Sequence, residues 1–207
     1  MNFPEEKHKD LSLFIKDYSL GIQRGFESID FQELNKIATL MDEKIHDART
    51  IFTCGNGGSC AISEHFVCDF LKGTADSSSI QPIIHSLSSN VPTVTAIAND
   101  ISYGEVFSFQ LEKYASSEDI LICVSSSGNS ENIINCINKA KSMGLKTISF
   151  VGFDGGKAKD ISDLSIHIGI NNYGIVEDIH QSLMHMLAQY LRLKNINDSS
   201  NITKIKF

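Results

Sequence analysis

One unit recurs along this chain and limits what it can fold into. A short apolar, β-branched run is followed by a loop of small residues and then by helical periodicity. Thr50 to Cys54 reads as a buried parallel strand and runs into Gly55-Asn56-Gly57-Gly58-Ser59 and a helix over about 59–71. Ile120 to Val124 does the same before Ser125-Ser126-Ser127-Gly128-Asn129-Ser130 and a helix ending near Met143. Further strands are predicted at 81–85, 146–151 and 164–168, with helical stretches over 91–116 and 176–193. Strands alternating with helices predict an α/β fold: a parallel sheet of about five strands between two helical layers, a three-layer sandwich. Two amphipathic helices, over about 5–26 and 30–47, precede the first strand. Their apolar faces need cover, from the main domain or from another subunit. The expected organisation is a single domain over 1–195, with leading helices in 1–48, an α/β core in 49–195 and a polar tail over 196–207.

The 207 residues, 42% apolar and 21% charged, suit one compact domain with a full core. A net charge of −7 argues against a broad nucleic-acid surface, yet leaves room for a local anion site. No apolar run is long enough for a membrane span, and the charged start (Glu5, Glu6, Lys7, Lys9, Asp10) is unlike a signal peptide. Five cysteines with no C-x-x-C predict a reducing, cytoplasmic setting. Cys60 and Cys68 read as small buried apolar residues, since no nearby cation would activate a thiolate.

The two loops at strand ends suit anions. Glycines at 55, 57 and 58 let backbone N–H groups approach a ligand with no Cβ in the way. The loop has no Gly-Lys-Ser/Thr ending, and Cys60 stands where a dinucleotide fingerprint needs glycine. In the second loop four serine hydroxyls flank one glycine, ready to donate to a phosphate. Neither loop carries Arg or Lys, which favours a sugar phosphate over a metal-bound triphosphate.

Four motifs occur in order: Gly55-Asn56-Gly57-Gly58-Ser59, Ala98-Asn99-Asp100, Ser125 to Ser130, and Asp154-Gly155-Gly156. In this the chain resembles the sugar isomerase (SIS) domain family, and within it the bacterial sedoheptulose-7-phosphate isomerases, also called phosphoheptose isomerases. The resemblance implies a flavodoxin-like sheet and a homotetramer with active sites at subunit interfaces. It implies an aldose–ketose isomerisation through an enediol that makes the heptose of lipopolysaccharide or capsule. Asn56, Gly57, Gly58, Ser59, Asn99 and Asp100 would line the sugar, while Ser125, Ser126, Ser127 and Ser130 would hold the phosphate.

His65 and Asp69 stand four apart on one predicted helix, hence on one face. By matching to the family, Asp69 takes the place of its glutamate base and His185 that of its general acid. His65 takes the place of a metal-binding histidine, and Glu177 that of a glutamine contacting substrate or metal. His65, Asp69, Glu177 and His185 would then form a set suited to zinc. Glu177 and His185 are about 12 Å apart along an unbroken helix, so they share an ion only if Glu177 lies at or before the helix start. His180 reads as an ordinary helical neighbour of Glu177. Five departures from the family fall at the acid–base end: Asp69 for Glu, Glu177 for Gln, Ile62 for a common Asp, Lys72-Gly73 for Gly-Arg, and Gly174-Ile175 for Asp-Arg. They leave two alternatives open. One is an isomerase of another sugar phosphate. The other is a non-catalytic SIS regulator, such as a ligand sensor or a replication-initiator-binding protein.

Overall fold

The computed structural model describes residues 2–76, 78–198 and 202. Five parallel strands form one sheet: β1 (Thr50–Gly55), β2 (Ile83–Ser86), β3 (Ile120–Ser125), β4 (Lys146–Val151) and β5 (Leu164–His167). Their spatial order is β2-β1-β3-β4-β5, the flavodoxin-like order. The chain leaves β1 toward one edge and β3 toward the other. A crevice therefore opens between these two strands at their carboxyl ends, where both small-residue loops emerge.

Eight α-helices flank the sheet among the described residues: α1 (Leu11–Glu27), α2 (Phe31–His46), α3 (Gly58–Cys68), α4 (Val91–Asp100), α5 (Ser108–Tyr114), α6 (Glu131–Ser142), α7 (Gly156–Ile161) and α8 (Tyr173–Lys194). Successive strand side chains point to opposite faces. Along β3, Ile120, Ile122 and Val124 enter one core with residues of α2, α3 and α8. Leu121 and Cys123 enter a second core with residues of α5, α6 and α7. Each large apolar side chain so buried contributes about 1.5–3 kcal/mol.

Caps explain where helices begin. Asp10 accepts from Leu13 N, so α1 starts at Leu11 rather than near residue 5. Asn172 accepts from Ile175 N, so α8 starts at Tyr173, three residues earlier than its periodicity suggests. The stretch 91–116 is broken into α4, a 3₁₀ turn (Tyr103–Glu105) and α5. The short α7 follows Gly155, whose φ of 93° starts the helix abruptly, and periodicity gives no sign of it. The helix after β1 does not run straight to residue 71. At Asp69 it widens into a π-helical turn, Asp69–Thr74.

The first helix lies on the last one. An added Cβ at Gly21 would stand 2.7 Å from Ile175 Cδ1, and one at Gly25 would strike Ile179. Two glycines one turn apart thus let α1 settle onto α8. Tyr18 then donates its hydroxyl to Asp178 at 2.7 Å. Of the tail, only residues 196–198 and 202 are among those described.

Candidate active site

The loop after β1 is shaped by its glycines. A Cβ at Gly55 would collide with the Ser59 carbonyl, and Gly57 has φ 56° and opens α3 with no side-chain cap. At Gly58 a Cβ would lie 2.6 Å from Glu177 Oε1. Glycine here lets the Glu177 carboxylate lie against the N-terminus of α3. Burial, with the charge of Asp178 added, raises the Glu177 carboxyl above its ordinary value.

The serine loop is braced from behind. Ala158 N donates to Gly128 O at 2.8 Å, Lys157 N to Asn129 Oδ1 at 2.9 Å, and Gly152 N to Ser126 O at 2.8 Å. The segment from Gly152 to Ala158, which carries the Asp154-Gly155-Gly156 turn packed against Gly128, is therefore the mount of the serine loop. Ser125 and Ser126 are buried, and the Ser126 hydroxyl has no hydrogen-bond partner among the described residues. Ser130 opens α6, yet its side chain does not cap it. Such a loop, with hydroxyls and a helix N-terminus converging, suits a phosphate.

The two loops are tied together by a reciprocal amide pair. Asn56 Nδ2 donates to Asn132 Oδ1 at 2.9 Å, and Asn132 Nδ2 donates back to Asn56 Oδ1 at 3.0 Å. Tyr103 adds its hydroxyl to Asn56 Oδ1 at 2.8 Å, holding the turn after α4 to the same point. Asn99 and Asp100, at the end of α4, are exposed and bond to each other at 2.8 Å. They make no hydrogen bond to the other predicted site residues among those described. Tyr103 and Asn132 are network members that the sequence reading did not single out. Asn132 carried a signal, two residues after the last serine of the loop.

The titratable group lies farther along α8. His185 Nδ1 is 2.6 Å from Asp69 Oδ2, and His65 Nε2 is 3.3 Å from Asp69 Oδ1. The two imidazoles meet edge to face with centroids 4.9 Å apart. His65, Asp69 and His185 offer donor atoms all within 4.8 Å of one another, a group able to hold a metal ion. Two imidazoles and a carboxylate with an open side are a donor set that zinc accepts. Glu177 is not in this group. It sits inside α8, one turn past the helix start at Tyr173, and two turns separate it from His185. Of the four expected metal ligands, His65, Asp69 and His185 are brought together, whereas Glu177 lies at the glycine loop. Cys68, Asp69, Lys72 and His185 border an open pocket with a volume of about 600 Å³.

The two cysteines near the site are less buried than expected: Cys60 is half-buried and Cys68 exposed, while Cys54, Cys123 and Cys136 are the buried ones. Burial and the charge of Glu64 push the Cys60 thiol up, away from a reactive thiolate.

A flavodoxin-like sheet whose crevice is framed by a glycine loop and a braced serine loop defines the class: the chain belongs to the SIS-domain family, whose model matches residues 16–152. Within that class it belongs with the phosphoheptose isomerases. It is 35% identical over 169 residues to the phosphoheptose isomerase of Helicobacter pylori (strain P12), covering 81% of this chain and 86% of that one. It is 34% identical over 160 residues to the phosphoheptose isomerase of Aliarcobacter butzleri, covering 77% and 84%. The solved structure of the Neisseria gonorrhoeae phosphoheptose isomerase shares the fold, with a TM-score of 0.79 at 24% identity, covering 87% of this chain and 96% of that one. Among the described residues no helix is long and apolar enough to cross a membrane.

Proposed function

We propose that this chain is an aldose–ketose isomerase that converts D-sedoheptulose 7-phosphate to D-glycero-D-manno-heptose 7-phosphate, the heptose unit of lipopolysaccharide or capsule. The observation that carries the reading is the Asp69–His185 contact at 2.6 Å, in a chain related to phosphoheptose isomerases over most of its length. Asp69 takes a proton from C1 of the ketose, giving an enediol, and returns a proton to C2 to give the aldose. As this happens the C2 oxygen gains a proton and the C1 oxygen loses one, and His185 carries that exchange. Ser125, Ser126, Ser127 and Ser130 hold the distal phosphate and so set the chain length accepted. Asn56, Gly57, Gly58, Ser59, Asn99, Asp100 and Glu177 contact the sugar. His65, Asp69 and His185 would hold zinc, which when bound would polarise the carbonyl and hydroxyl oxygens of the sugar.

The chain works in the cytoplasm as a single SIS domain, assembled as a homotetramer through the helices of 1–48, with active sites at subunit interfaces. The assembly is supported by the exposed apolar side chains Leu11, Leu13, Ile15 and Leu20 on α1. The reaction is tested by incubating the purified protein with sedoheptulose 7-phosphate in D₂O. The expected result is an aldoheptose phosphate carrying solvent deuterium at C2. A sugar recovered unchanged, from folded protein that binds it, would count against the reading.

A further inference from the structure

Three elements meet at one side-chain amide. Asn56 Oδ1 accepts from Asn132 Nδ2 at 3.0 Å and from the Tyr103 hydroxyl at 2.8 Å, while Asn56 Nδ2 donates to Asn132 Oδ1 at 2.9 Å. A carboxamide oxygen has two lone pairs and its nitrogen two hydrogens. Both lone pairs of Asn56 are therefore taken, and one N–H is left over. With its oxygen closed, Asn56 can offer a ligand only a donor. It suits a carbonyl or hydroxyl oxygen of a sugar as acceptor and cannot receive a hydroxyl proton. The turn that carries Tyr103 is itself fixed. Asn135 on α6 donates its amide to Gly104 O at 3.1 Å and to Glu105 Oε1 at 3.2 Å. Gly104 lies close on α6, since a Cβ there would stand 3.2 Å from Glu131 Cδ. The phenol thus reaches Asn56 from a backbone held to α6, the helix that also carries Asn132. The Tyr103 ring is exposed, so it contributes its hydroxyl bond rather than core packing.

We propose that Tyr103 is a positioning residue for the sugar: its hydroxyl closes the second lone pair of Asn56 Oδ1 and fixes the amide, so that Asn56 presents a single N–H to an oxygen of the substrate. The proposal rests on the reading of this crevice as the sugar-phosphate site. Tyr103 itself touches no reacting atom in this account. Its effect passes through Asn56. Asn56 holds the sugar away from the proton transfer at Asp69, so its bond is made alike in substrate and transition state. Such an interaction sets KM and leaves kcat unchanged.

The test is Tyr103→Phe in the full-length protein, which keeps the ring and removes one hydroxyl. Calorimetry should show sedoheptulose 7-phosphate bound at least about fivefold more weakly, with inorganic phosphate bound within about twofold of wild type. Turnover should show KM raised at least about fivefold and kcat within about twofold. In an Asn56→Ala background, folded by circular dichroism, the same change should cost less than about twofold in sugar binding, because the group it acts through is gone. If Asn56→Ala does not fold, the split between the two ligands in Tyr103→Phe decides alone. Equal weakening of both ligands would mark a general disturbance of the loops and overturn the proposal. Unchanged sugar binding would overturn it too, as would the full loss persisting in the Asn56→Ala background. Wild-type protein that binds sedoheptulose 7-phosphate, shows the expected Tyr103→Phe loss and turns none over would support the positioning role and overturn the functional reading instead. Wild-type protein that does not bind this sugar would overturn both.

Discussion

His185 and Asp69 are 116 residues apart in sequence, and His185 Nδ1 lies 2.6 Å from Asp69 Oδ2. The contact exists because α3 and α8 pack on the same face of the sheet, sharing one core. Aspartate is a methylene shorter than the family's glutamate. Even so, its carboxylate reaches both His185 and His65 from the first position of a π-helical turn. Such turns recur at functional sites.

The brace behind the serine loop is fragile at Gly128. Its φ is 63°, and a Cβ there would collide with the Gly155 carbonyl oxygen, a backbone atom that cannot swing aside. Gly128→Ala should cost about 1–3 kcal/mol of stability by urea unfolding. It should also weaken inorganic phosphate binding by calorimetry at least tenfold. Unchanged stability and binding would show that the two loops are not coupled.

His180 makes stability depend on pH. It is fully buried, its Nε2 is 3.3 Å from Val151 O, and burial pushes its pKa down to about 4 from 6.5. The folded state then binds fewer protons than the unfolded chain between those values, so its stability falls as pH drops through that window. The full loss is about 3 kcal/mol. Replacing His180 by Phe removes the titration. Wild type should therefore lose stability relative to His180→Phe from pH 7.5 to pH 4.5. A difference that stays constant with pH would mean that His180 does not titrate there.

Glu177 works in the opposite sense. Its carboxyl is raised by burial first and by Asp178 second, so the folded state holds its proton to higher pH than the unfolded chain does. Stability then falls as pH rises from the unfolded value through the folded one. Glu177→Gln should be more stable than wild type at pH 7, and its advantage should vanish in acid below the ordinary carboxylate range. An advantage that persists there would point to packing rather than charge.

Metal binding should depend on three side chains and not on a fourth. His65→Ala should weaken zinc binding at least tenfold in a competition assay with a chromophoric chelator, whereas Glu177→Gln should leave it within about threefold. The reverse order would place Glu177 among the ligands.

Much of the architecture is written locally. The all-buried run Ile120 to Ser125 and the β-branched start of β1 carry a strand signal strong enough to give the parallel sheet. The glycine and serine loops are legible because their composition exceeds what a turn needs. What escaped depends on contacts distant in sequence. The role of Gly155-Gly156 becomes visible only when their turn lies against Gly128. The start of α8 is set by the Asn172 cap, and that one shift places Glu177 inside the helix and away from His185. Gln181 stands four residues before His185 on the same helical face, but only the arrival of His65 from α3 gives its amide nitrogen a second ring, at 3.1 Å from His65 Nδ1 beside 2.9 Å from His185 Nε2.

The central claim is that Asp69 moves the proton between C1 and C2, and it is tested most directly by turnover of sedoheptulose 7-phosphate by wild-type protein beside Asp69→Asn. The asparagine keeps the shape and an acceptor for one ring N–H but cannot take a proton. The account predicts aldoheptose phosphate formation by the wild type and a loss of at least about 100-fold in kcat for the variant, with the phosphate still bound. Turnover of the variant within a fewfold of wild type would contradict it.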